Sequence, residues 1–109
     1  MPDQNPITMT RNEITNIINQ RVSDTIQRNL FEQIFDELFK KFGEPEYDLT
    51  WGWFLFSNRK HRFNFGRQHK SWCYLDYYET HEYVLSWNYV WDKDSCSDFE
   101  VFLEKLKGI

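Results

Sequence analysis

No stretch of this chain approaches the roughly 18 uninterrupted apolar residues of a membrane-spanning helix; the longest apolar run, residues 51–56, is strand-sized. Residues 1–9 have neither a basic start nor an apolar core, so no secretory signal is expected. Cysteine is scarce. Cys73 and Cys96 are the only two and lack Cys-x-x-Cys spacing, so the expectation is reduced thiols in a cytoplasmic protein, with one disulfide as the alternative. There is no glycine-rich phosphate loop, no Gly-x-Ser-x-Gly elbow, no repeat and no low-complexity tract. These absences leave no catalytic motif and no cofactor signature.

What is abundant is aromatic surface. Fourteen aromatic residues, including all five tryptophans, lie within residues 49–91. They recur at every second position and are interrupted by turn residues, the pattern of an antiparallel sheet. At 109 residues the chain is long enough for one true core. We therefore expect a flexible arm over residues 1–9 and a single domain over 10–109.

Ahead of the sheet, Thr10-Arg11-Asn12-Glu13 has the form of a capping box. Ile14, Ile17, Ile18, Val22, Ile26, Leu30, Phe31, Ile34, Phe35, Leu38, Phe39 and Phe42 follow at helical spacing, and Gly43 and Pro45 stop the run. One unbroken helix over 11–42 would be about 48 Å long at about 1.5 Å per residue. A domain of this size has a radius of gyration of only about 13 Å. The helix must break or overhang. Ser23 and Asp24 favour caps over helix interiors, so helices over 11–22 and 24–42 are predicted. An unbroken helix would instead leave Ile14, Ile17 and Ile18 projecting beyond the domain; the overlong apolar stripe, together with the uneven distribution of charge along the chain, predicts a homodimer through Ile14, Ile17, Ile18 and Val22.

Residues 44–48 read as an acidic loop. Four strands are predicted after it, over 49–57, 61–65, 71–78 and about 83–91, with turns at 58–60, 66–70 and 79–81. The first carries Trp51, Trp53 and Leu55 on one face and Phe54 and Phe56 on the other; the last carries Tyr83, Leu85, Trp87, Tyr89 and Trp91 together. Ser97-Asp98-Phe99-Glu100 forms a second capping box that opens a short helix. The fold class is α+β: a long or bent N-terminal helix, a four-stranded antiparallel meander and a short C-terminal helix, with the helices on one sheet face.

One helical layer cannot cover both faces of so aromatic a sheet, so the open face is the candidate binding surface. Trp53, Trp72, Trp87 and Tyr74 are its expected anchors, with Asp92 and Asp94 as acids that steer a basic protein. The acidic cluster would suit a basic protein surface, for instance that of a nuclease or another nucleic-acid-binding protein, and the outline of shape and charge resembles small acidic inhibitors and immunity proteins of bacterial or phage mobile elements, without a shared motif. The leading expectation is a non-enzymatic binding protein. One alternative is a small aromatic or apolar ligand held between helix and sheet, with Asp76, flanked by Tyr74 and Tyr78, as a weak acid/base group.

Charge supports a further alternative. Arg59, Lys60, Arg62, Arg67 and Lys70 fall in an acid-free stretch, so the other eight bases face all seventeen acids and the rest of the chain carries −9. Cations beside Phe63, Phe65, Trp72 and Tyr74 are what single-stranded nucleic-acid binders use. His61, His69, Cys73 and His81 lack metal-ligand spacing and read as turn-associated surface histidines and a buried thiol; no metal is expected.

Overall fold

A computed structural model of the chain describes residues 7–49, 52–69, 72–88, 95–96 and 99–109. In chain order the elements are β1 (Ile7–Thr8), α1 (Arg11–Arg21), α2 (Thr25–Phe42), β2 (Glu46–Asp48), β3 (Trp53–Phe56), β4 (His61–His69), β5 (Trp72–Glu79), β6 (Glu82–Asn88), β7 (Ser95–Cys96) and α3 (Phe99–Lys107). The α+β class and the placement of the helices on one sheet face are as expected. The strand count is not. Seven strands lie in the order β1 to β7, antiparallel throughout except for the parallel pair β6–β7. β2 occupies the predicted acidic loop, and Ile7 and Thr8, at the end of the expected arm, pair with Tyr47 and Glu46.

The long helical pattern breaks where the residues favour it. Thr10 Oγ1 accepts from the Glu13 amide at 3.2 Å and Glu13 Oε1 accepts from the Thr10 amide at 2.8 Å, completing the first box. α1 stops at Val22, whose backbone is extended, and Asp24 caps α2 by accepting from the Gln27 amide at 2.8 Å. Arg28 Nε donates to the Val22 carbonyl at 2.5 Å, satisfying an acceptor the break exposes. The two helices fold back on each other. Arg11, at the start of α1, pairs with Glu32 and with Asp36 in α2, and Thr15 donates to Glu32. Replacing Asp24 with alanine should cost about 1 kcal/mol, seen as a lowered thermal midpoint with little change in the remaining helix signal.

This turn buries most of the apolar positions to which the expected dimer contact was assigned. Ile14, Ile18 and Val22 are fully buried inside one chain and Ile17 packs partly buried against them. They cover the protein's own core and offer no surface to a second copy. The principal extents are 40 × 28 × 23 Å, shorter than the unbroken helix. Among the described residues no helix is long and apolar enough to cross a membrane.

The core forms where α2 and α3 meet the sheet. Tyr47, Phe54, Phe63 and Tyr77 form one cross-strand row through successive pairings. Phe35 meets Phe54 at 4.9 Å, Phe39 meets Phe56 at 6.3 Å and Phe31 meets Trp87 at 5.2 Å, all edge to face. These rings pack α2 onto β3 and β6.

Trp87 requires a second correction. It is 3 % exposed and packs against Phe31, Phe99 and Phe102, so it is a core residue rather than an anchor on the open face. Tyr83, predicted on the same face, is separated from it by a bulge. Tyr77 pairs with Leu85 and Tyr78 with Tyr83, leaving Val84 without a partner position. The extra residue shifts the alternation, sending Tyr83 to the face away from the helices.

His61 also departs from expectation. It is not a surface turn histidine: it is 8 % exposed, stacks on Phe42 at 4.2 Å and shares a 2.6 Å hydrogen bond between Nδ1 and Tyr77 Oη. β4 continues through the predicted turn at 66–70 as far as His69.

Candidate binding face

Alternation along the strands defines the face that carries no helix. One cross-strand row runs Glu46, Leu55, Arg62, Tyr78, Tyr83, and the next runs Asp48, Trp53, Asn64, Asp76, Ser86. Trp53 and Tyr78 meet edge to face at 5.3 Å, and Tyr78 meets Tyr83 in the same manner at 5.6 Å. This three-ring ladder bridges β3, β5 and β6. Trp53 and Tyr78 are half-buried and Tyr83 is 43 % exposed, as is the neighbouring Val84. Leu55, within the same face, is buried.

Of the anchors expected from sequence, Trp53 and Tyr74 lie on this face. Tyr74 is half-buried, and burial raises its phenol pKa, with the Asp76 carboxylate adding to the shift. Asp76 sits level with Asn64 and Ser86. The backbone of Trp72 belongs to β5, but its side chain lies outside the described residues, as do Asp92 and Asp94. Tyr78 and Tyr83 were not singled out from the sequence. Tyr78 was legible by its alternation with Tyr74 and Asp76, whereas the bulge at Val84 concealed Tyr83.

The basic stretch does not form one patch among the described residues. Arg59 pairs with Glu46 at 3.3 Å and Lys60 with Glu79 at 3.8 Å, so acids from neighbouring strands neutralise what looked acid-free along the chain. Arg62 points into the helix-free face. Lys70 and the Arg67 side chain lie outside the described residues. Among the described residues no cluster of three His, Cys, Asp or Glu could hold a metal ion.

Two turns bound the face at one end. Ser57, Asn58 and Arg59 all take left-handed conformations, with φ of 51°, 58° and 70°, and Thr80 does so at 57°. Such backbone is costly for residues other than glycine. It persists here because the turns brace each other: the Thr80 amide donates to the Lys60 carbonyl at 2.7 Å, and Arg62 Nε donates to the Arg59 carbonyl at 3.1 Å. Between them lies a recess of about 210 Å³ lined by Trp53, Arg62, Tyr78, Thr80 and His81. A larger recess of about 530 Å³, lined by Glu79, Thr80, Glu82, Tyr83 and Val84, shares Thr80 with it. Thr80 and His81 carried no motif, because their role depends on the turn geometry.

Comparison with protein-family models, with curated proteins and with solved structures finds no match for this chain.

Proposed function

We propose that this is a non-enzymatic binding protein that docks a protein partner on the helix-free face of its sheet. The observation carrying this reading is the Trp53–Tyr78–Tyr83 ladder, three rings held in fixed edge-to-face geometry yet partly open to water. Rigid aromatic side chains lose little conformational freedom on binding and dominate the energetics of protein interfaces. The net charge of −4 favours a basic partner. In this reading the protein works as inhibitors and immunity proteins do, by covering a surface of another molecule.

The test is affinity capture with the full chain, followed by titration of each captured protein against wild type, Trp53→Ala and Tyr78→Ala. A true partner should lose about 2 kcal/mol, or roughly thirtyfold in affinity, with either variant. Partners that bind both variants as tightly as wild type would overturn the reading.

A further inference from the structure

The recess at the end of the ladder differs chemically from the rest of an acidic molecule. All five residues that line it carry a hydrogen-bond donor (indole, guanidinium, phenol, hydroxyl, imidazole) and none is acidic. Its cation is also placed differently from its neighbours. Arg59 and Lys60 are each paired with a carboxylate, whereas Arg62 makes no ion pair among the described residues. The bond from Arg62 Nε to the Arg59 carbonyl uses one of its five donors and fixes the plane of the guanidinium. The left-handed turn presents that carbonyl, and Thr80 is held beside it by its own bond to Lys60. Trp53 and Tyr78, inclined at 77°, supply two apolar walls meeting at a corner.

We propose that this recess binds the carboxylate of a small aromatic acid. A guanidinium matches a carboxylate through two parallel hydrogen bonds, and its single positive charge balances a monoanion. The ring of the acid would pack in the Trp53–Tyr78 corner. A volume of about 210 Å³ lies below the roughly 300 Å³ at which pockets begin to hold drug-sized ligands, which limits the occupant to one ring with a short stem. This site goes beyond the docking reading. It is tested without any protein partner, so its failure would leave that reading standing.

The experiment is titration of the ¹⁵N-labelled full chain with phenylacetate near neutral pH, following the Trp53 indole N–H, assigned from Trp53→Phe, and the Thr80 amide. Saturable shifts of both in the millimolar range are expected. Phenylacetamide, which has the same shape without the charge, should bind at least about tenfold more weakly, and Arg62→Gln should weaken phenylacetate by a similar factor. Arg62→Lys should recover only part of the loss, because an ammonium cannot form the paired bonds. Lys60→Gln should leave affinity within about twofold, since its charge is already met by Glu79. Unchanged dispersion in the rest of the spectrum reports that each variant is folded. Equal binding of acid and amide would overturn the proposal, as would an equal effect of Lys60→Gln and Arg62→Gln. So would displacement of phenylacetate by inorganic phosphate at equal concentration, or the absence of any saturable shift.

Discussion

Replacing Phe54 with alanine is expected to remove about 3–5 kcal/mol of folding stability, while the same change at the adjacent Trp53 should cost about 1 kcal/mol. Phe54 is fully buried, with Phe35 at 4.9 Å and Tyr47 at 4.7 Å, so truncation loses the burial of a whole ring and leaves a cavity its rigid neighbours cannot close. Trp53 faces the other way and keeps part of its surface in water. For a protein whose total stability is about 5–15 kcal/mol, the first change approaches unfolding and the second does not. Urea midpoints of the two variants decide the matter. Equal losses would mean that the sheet does not divide its rings between a core face and a free face.

The second large effect is expected at the His61–Tyr77 pair. Removing the hydroxyl in Tyr77→Phe leaves His61 Nδ1 without its 2.6 Å partner in a buried position, at a cost of about 1–3 kcal/mol. The double variant His61→Phe/Tyr77→Phe should recover most of that, because it replaces both polar partners with rings that can still pack on Phe42 and Phe63. The same pair sets a pH dependence. Burial lowers the His61 pKa below 6.5; Glu79 opposes that shift, while Lys60 and Lys41 reinforce it. Neutral His61 therefore contributes stability that is fully present above pH 6.5 and declines as pH falls through its lowered value. On the alkaline side, burial, with a smaller contribution from Glu79, pushes the Tyr77 phenol up to about 12 from 10.0. Its contribution is present below 10.0 and is lost as pH rises toward about 12. Denaturant midpoints measured against pH should show both limbs in wild type and neither contribution in the double variant. A double variant with the wild-type acid limb would assign that limb to carboxylates instead.

The helices were legible because their cues are local and repeated. Thr10, Glu13 and Asp24 cap helices in the structure as their side-chain chemistry suggests, and the apolar stripe before Phe42 has the helical period. β1, β2 and β7 were not, since two or three residues such as Ser95–Cys96 are too short to display alternation. Trp53 could be found from the sequence because β3 alternates regularly. Trp87 and Tyr83 were misassigned to a shared face because an even spacing implies the same side only when no extra residue intervenes, and Val84 intervenes. The pairings of Arg59 with Glu46 and Lys60 with Glu79 join the β3–β4 turn to β2 and β5, so a count of charge along the chain could not reveal them. His61 looked like a turn residue because it follows one, and only packing against Phe42 shows it as part of the core.

Because each strand hydrogen-bonds to its neighbour in the chain, most of the sheet can zip up through short closures: four residues separate β3 from β4, and two separate β5 from β6. The seam between β1 and β2 is different. Bringing Ile7 to Tyr47 closes a loop that runs from Met9 to Pro45 and contains both α1 and α2 and the bend between them. The entropic cost of forming this sheet is therefore concentrated on one edge, and the central hairpins are free to assemble early.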